Sequence, residues 1–367
     1  MGGRKRILYF AILALLVAML GGLVFAYLRL SSPAPGPDPV YITPGLQHIR
    51  SIYAYGEGAD KLLSQPFGVA FVDGRLYVGQ MGKGNVIVMD GNGNYLQTVG
   101  VKGRGWGQLN STGGIDVDAN GNVYVADPTH AKVVVFDKAG RPLQEIPIKY
   151  PLVPRVFEGR RLYVASFDSI KVLAIPGYQQ LSAWGQRGRG DADFDFPNGL
   201  VVTDGGNTIY VSDGNNMRLK KLDKNGEKVW IVGRPPKDMN DSSRLFGLPG
   251  GMVLVGNVLY VTDPLDGTIH LFRAGDGSQI GEVGESGAGD GQFSYPSQIA
   301  WMGGKRFAVT EWGNDRVQIV DIDPKGVEAA AADAPSVAPS ETSNALPAPG
   351  ASITTTTSTG SPPTSAR

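Results

Sequence analysis

Pro197-Asn198-Gly199-Leu200, then Ile209-Tyr210-Val211-Ser212-Asp213, then Asn216-Met217-Arg218-Leu219 spell one unit of a sentence that this chain writes six times. A Pro-x-Gly-type entry opens an apolar run. A short turn leads to a hydrophobic-Tyr-Val segment, a second apolar strand follows, and a Gly-rich loop returns the chain to the next entry. The entries fall at Pro66, Thr112, Leu152, Pro197, Pro249 and Pro296, about 46 residues apart on average. Four short strands repeated at that period predict propeller blades.

The repeat accounts for most of the chain. Leu76-Tyr77-Val78, Val123-Tyr124-Val125, Leu162-Tyr163-Val164 and Leu259-Tyr260-Val261 repeat the second strand, and Phe307-Ala308-Val309 is its sixth version, with Ala in place of Tyr. Asp73-Gly74 and Asn120-Gly121 precede such strands and suit tight hairpins. Asp90-Gly91-Asn92-Gly93 looks like a calcium loop but lacks carboxylates at alternate positions, so it reads as a hairpin turn. Gly100–Leu109, Gly185–Phe194 and Gly284–Phe293 share one pattern and read as crossings between blades. The sixth unit ends after three strands near Asp323. His48–Tyr55 supplies its fourth strand and closes the ring, which removes free sheet edges.

Outside the repeat, Arg4, Lys5 and Arg6 precede an uncharged apolar run, residues 7–28, of the 367-residue chain. Such a run spans a hydrocarbon core of about 30 Å as a helix, and the basic residues before it predict an N-in orientation. The run exceeds the h-region of a cleaved signal, so it reads as a signal anchor with residues 1–6 cytoplasmic. Residues 29–45 form a Pro-rich linker reaching about 50 Å. The propeller runs over 46–325. The Ala/Pro/Ser/Thr-rich residues 326–367 have little to bury and are expected to be disordered. Net charge is zero, which argues against nucleic acid as partner. The chain has no cysteine, which excludes disulfides and thiolate chemistry.

The units resemble NHL repeats: Gly199, Tyr210-Val211-Ser212-Asp213 and Asn216-Met217-Arg218-Leu219 carry the pattern, and Asn314-Asp315-Arg316-Val317 carries its last part. That resemblance implies an all-β, six-bladed propeller of four-stranded blades, and the apolar run 7–28 places one transmembrane helix before it. Its members include binding modules, receptor sensor domains and some enzymes, so it does not choose a function. Asp127 with Lys132, Asp213 with Arg218, and Glu311 with Arg316 repeat an acid–base pair five residues apart. They read as scaffold rather than as a ring of catalytic acids.

Phe196-Pro197-Asn198-Gly199-Leu200 is also similar to a segment of the gluconolactonase family, whose Asn ligates a divalent cation in the channel. That family's carboxylate ligands fall here on Phe67 and Gly250, and a hard cation wants carboxylates. A metal-dependent hydrolase centred on Asn198 is therefore the alternative reading, and an accessory subunit of a membrane or electron-transfer complex is a third. The peptide-amidating lyase holds zinc with histidines, but His48, His130 and His270 lie in unrelated places. No cofactor is expected.

The principal reading is a membrane-anchored, extracytoplasmic binding or scaffolding module for a protein, peptide or anionic glycan. Its site is expected at the face bearing the fourth-to-first and second-to-third loops, where residues depart from the repeat. Arg155 follows Pro154 in place of a Gly, Gln298 also takes a Gly position, and Asn198, Glu311 and Trp312 complete the set. Trp106, Arg104 and Arg187, in aligned crossing loops, add a basic patch beside an aromatic.

Overall fold

The computed structural model describes residues 43–333, except 236 and 238–242. Six antiparallel four-stranded sheets form the six blades of a propeller. In the fourth blade the strands run in order: Pro197–Thr203, Thr208–Asp213, Arg218–Asp223 and Lys228–Gly233. The last blade is closed from the other end of the chain: Leu46–Ile52 pairs with Arg316–Ile322, with Leu46 opposite Ile322 and Ile52 opposite Val317. The ring therefore closes where the sequence places it, and Arg316–Ile322 is not left as an edge.

The Leu-Tyr-Val segment works because side chains alternate across a strand. In the first blade Tyr77 enters the apolar cluster shared with the second blade. Leu76 and Val78 enter the cluster shared with the sixth. A strand buried on both faces needs apolar residues at every position, which is what the repeat supplies. The described residues form six such clusters, one in each gap between neighbouring blades. The crossing loops fold back on themselves. Gly100 and Gly284 have φ of 75° and 83°. A Cβ there would come within 2.8 Å of Leu109 or 2.5 Å of Phe293, so glycine meets both demands.

Two boundaries differ from the sequence reading. Residues Pro324–Asp333 form a helix, although the sequence places disorder from Gly326 onward. Alanine favours helix, and the buried Val327 docks this one into the cluster between the fifth and sixth blades. The third blade enters at Pro151, not Leu152: Pro151 lies opposite Ser166 as Pro197 lies opposite Asp213. The apolar run 7–28 lies outside the described residues, and among the described residues no helix is long and apolar enough to cross a membrane.

Candidate functional site

The inner strands all run the same way, from the crossing loops at one end of the channel, here called the upper end, to the first hairpin turns at the lower end. Immediately before the inner strands stand Gln65, Tyr150, Phe196 and Tyr295, with φ of 48°, 48°, 60° and 52°. Bulky residues rarely adopt this left-handed conformation, which costs on the order of 1 kcal/mol or more. A repeated hydrogen bond holds it. Their carbonyls accept the N–H groups of Met81, Phe167, Gly214 and Trp312, at 3.0, 3.2, 3.1 and 3.1 Å. In the other two blades the donor position is Pro128 or Pro264, which has no N–H. There the residues before the inner strands, Ser111 and Leu248, are not left-handed.

This backbone device gathers aromatic rings. Phe67, Tyr150, Phe167, Phe196, Tyr295 and Trp312 line a cavity of about 470 Å³ at the upper end. The rings contact one another in series: Tyr150 to Phe167 at 6.3 Å between centroids, Phe167 to Phe196 at 6.0 Å, and Tyr295 to Trp312 at 5.4 Å. Trp312 remains 39% exposed and Tyr150 52% exposed, so the faces are available. The Arg187 guanidinium lies 5.2 Å from the Phe167 ring centre, at the rim, and Lys149 lies 5.7 Å from that of Tyr150.

Behind the mouth, the acids that end the second strands of four blades, Asp127, Asp213, Asp263 and Glu311, are consumed by scaffold. Glu311 is fully buried. It accepts from Arg316 at 2.7 Å, Gln318 at 2.7 Å, Asn314 at 2.7 Å and the Ser294 N–H at 2.9 Å. Four donors leave a carboxylate no capacity for a ligand, so Glu311 supports the mouth and does not open into it. Arg316 continues to the carbonyls of Ala288, Gly289 and Gln292, stapling the crossing loop. Asp213 and Arg218 repeat the arrangement at 2.8 Å. The pair of Asp127 and Lys132 does not form. Asp127 takes His130 and the Asn110 N–H, and Lys132 takes Glu145. Sequence reading also passes over Lys220, seven residues after Asp213. It is buried against the Phe194 ring and donates to the Asp193 carbonyl. Burial pulls its ammonium down to about 8, against the pull of Asp213.

Halfway down, Gln298 bridges the channel. Its amide donates 2.8 Å to the Asn198 carbonyl, joining the sixth blade to the fourth. Gly251 makes room, because a Cβ there would meet Gln298 at 2.6 Å. Asn198 is 2% exposed and its side-chain oxygen has no hydrogen-bond partner. Among the described residues no three His, Asp or Glu side chains gather to hold a metal. Each histidine meets acids in its own part of the ring: Asp290 for His48, Asp127 for His130, Asp263 and Glu282 for His270. The donor set beside Asn198 therefore does not fit a hard cation.

Arg155 is not at the upper end. With the third blade entering at Pro151, it is Val153 that replaces the repeat's Gly. Arg155 lies opposite Tyr163, in the ring of positions that holds Ala70, Asp116, Val201, Val253 and Ala300. That ring lines a separate cavity of about 290 Å³ at the lower end. Arg104 and Trp106 also stand apart, exposed on a crossing loop whose Gly107 packs against Pro142 of the second blade's outer strand. Of the residues singled out from sequence, Trp312 lines the mouth and Arg187 lies over its Phe167 ring, while Asn198 and Gln298 follow Phe196 and Tyr295 along the inner strands toward the lower end. Phe67, Tyr150, Phe167, Phe196 and Tyr295 were missed as site residues. The available signal was an aromatic directly before an entry proline, in Tyr150-Pro151, Phe196-Pro197 and Tyr295-Pro296.

Fold and repeat define a β-propeller of six four-stranded blades. The comparisons agree: residues 58–163 match the 6-bladed beta-propeller family DUF5128, and residues 194–222 match the NHL repeat. The chain is a six-bladed propeller whose fourth blade matches the NHL repeat. Among solved structures, a structural genomics protein of unknown function from Bacteroides thetaiotaomicron is similar at 18% identity and a TM-score of 0.57. The match covers 77% of this chain and 76% of that one. Kuenenia stuttgartiensis hydrazine synthase is similar at 14% identity and a TM-score of 0.51, over 71% of this chain and 97% of that one. A streptogramin B lyase is similar at 11% identity and a TM-score of 0.50, over 71% and 94%. Likeness at these identities is likeness of fold. No curated protein matches the sequence.

Proposed function

We propose that this propeller is a binding module that holds an extended, proline- or aromatic-bearing peptide segment of a protein partner in its aromatic mouth. The observation that carries this reading is the convergence of six aromatic rings from four blades on one apolar cavity. Three of those rings stand on left-handed backbone. Aromatic-lined grooves suit proline-rich and flat apolar segments, because the rings offer large contact area at low entropic cost. A glycan would call for more hydrogen-bonding side chains than this lining provides. Arg187 and Lys149 at the rim favour acidic residues beside the apolar anchor.

We further propose that the module works outside the cytoplasm on a single-pass anchor. The support is the basic Arg4, Lys5 and Arg6 ahead of the apolar residues 7–28. Carbonate-resistant membrane fractionation with protease accessibility from the outer side tests that address. Release of the full-length chain by carbonate overturns it.

The binding reading is tested with the purified protein and synthetic peptides carrying proline or tryptophan flanked by aspartate, followed by fluorescence anisotropy. Trp312→Ala is expected to weaken the best peptide at least about tenfold, or roughly 1.4 kcal/mol. Leu265→Ala, at an exposed residue outside the cavity, is expected to leave it unchanged. Equal binding by the parent and by both Trp312→Ala and Tyr150→Ala, or a preference for oligosaccharides over all peptides, sinks the proposal.

A further inference from the structure

The lower end of the channel holds a second constellation, independent of the aromatic mouth. Six inner-strand positions form its ring, and four carry Ala or Val: Ala70, Val201, Val253 and Ala300. The other two, on adjacent blades, are Asp116 and Arg155. Charged groups in an apolar cavity are normally paired with each other. These two share no hydrogen bond or ion pair. Arg155 Nε donates to the Leu200 carbonyl at 2.9 Å, and Nη1 donates to those of Ile115 and Pro154, both at 3.0 Å. Three carbonyls from three inner strands thus fix the guanidinium plane. Its remaining nitrogen, Nη2, has no hydrogen-bond partner among the described residues, and Arg155 lines the cavity. Asp116 is fixed in the same way: Oδ2 accepts the Val156 N–H at 2.6 Å, the Val117 N–H also favours the carboxylate, and no side chain among the described residues donates to Oδ1.

We infer that the lower cavity is a binding site for a free α-amino acid with an apolar side chain. Arg155 Nη2 takes the carboxylate, Asp116 Oδ1 takes the ammonium, and the Ala and Val positions take the side chain. A guanidinium matches a carboxylate in charge and donor geometry. A carboxylate at the neighbouring ring position matches an ammonium. A peptide cannot satisfy both, because no residue within it carries both a free α-amine and a free α-carboxylate. The volume of about 290 Å³ admits a small ligand and excludes a folded partner. Gln298, bridging to Asn198, stands on its inner strand between Tyr295 of the aromatic cavity and Ala300 of this one.

The rival account makes Arg155 a strut that ties three strands, so the test needs readouts that a strut would not move. Isothermal titration of the full chain uses L-leucine as probe, with L-leucinamide lacking the carboxylate and 4-methylpentanoate lacking the amine. L-leucine is expected to bind at least about tenfold tighter than either analogue. Asp116→Asn keeps the acceptor for Val156 and is expected to abolish the preference of L-leucine over 4-methylpentanoate while retaining 4-methylpentanoate binding. Arg155→Met is expected to remove both carboxylate ligands. Trp312→Ala, at the other end, is expected to change none of these titrations, which separates this site from the peptide mouth. Absence of heat with all three compounds in the folded parent overturns the inference. So does binding that ignores the missing carboxylate or survives in both Asp116→Asn and Arg155→Met.

Discussion

Asp263, fully buried at the upper end of the fifth blade, and Asp116, lining the cavity at the lower end of the second, are both set within the protein, yet the fold treats them oppositely. Burial alone would raise the Asp263 carboxyl. Instead His270 and the N–H groups of Leu248 and Gly247 outweigh it and hold the group below its ordinary value of 3.8. For Asp116 burial wins. Arg155 and the Val156 N–H only partly oppose it, and the carboxyl is pushed above 3.8. The Arg155 guanidinium is pushed down for the same reason, with Asp116 opposing. The upper end spends its charges on holding loops together and presents rings to a partner. The lower end ties a cation and an anion to backbone groups but does not pair them with each other, in an otherwise apolar ring. A group fully saturated by the scaffold cannot also bind, so the contrast separates structural charge from binding charge.

The largest expected effect breaks the upper side of that contrast. Arg316→Met leaves Glu311 buried without its charged partner and frees three crossing-loop carbonyls. Loss of one member of a buried pair costs about 3–5 kcal/mol. Urea unfolding is expected to show a midpoint shift of that size, whereas Arg306→Met, at a more exposed pair with Asp321, is expected to shift it by under about 1 kcal/mol. Equal shifts for the two variants mean that Glu311 is not held as described.

A smaller effect is expected between the two ends. Gln298→Gly restores the repeat's own residue and deletes the bridge to Asn198. One hydrogen bond is worth about 1 kcal/mol, so the fold persists and the bridge is lost. L-leucine and peptide titrations, independent in the parent, are then expected to interfere with one another. Continued independence means that the bridge does not keep the two cavities apart.

The smallest effect is a matter of sign. Asp116 has its folded pKa above the unfolded value, so its ionised form opposes folding at neutral pH. That penalty fades as pH falls through the folded value and is gone below about 3.8. Asp116→Asn is therefore expected to raise Tm at pH 7, by an amount of the order of 1 °C, with no gain below pH 3.8. Asp263 contributes in the opposite sense: its stabilisation is complete above 3.8 and is lost as pH falls through its lower folded value. Calorimetry of Asp116→Asn and Asp263→Asn across pH 3–7 reads both. A loss of Tm at pH 7 in Asp116→Asn contradicts the assignment.

Much of the scaffold was legible because it repeats. Leu76-Tyr77-Val78 and its copies announce strands buried on both faces, and the missing fourth strand of the sixth blade announces closure by His48–Tyr55. The binding ends were less legible. Arg155 looks like the Gly position but lies two residues beyond it, because the third blade lacks the Gly that marks the register and Val153 stands there instead. Val327 was assigned to a featureless tail because a single buried side chain leaves no periodic trace. Tyr150, Phe196 and Tyr295 are visible before their prolines, but nothing local says that their rings converge.

The sequence by itself determined the number of blades, the strand order within each, the closing strand and the acid–base scaffold of the fourth and sixth blades. These follow from short-range periodicity, hairpin chemistry and the need to bury both faces of a strand. Tertiary structure alone decided which departures from the repeat meet. Ring closure brings together single residues about 46 positions apart, and one residue of register decides whether a side chain faces the channel or a neighbouring blade. That is why Trp312 lies among aromatics at one mouth while Arg155 and Asp116 stand together at the other.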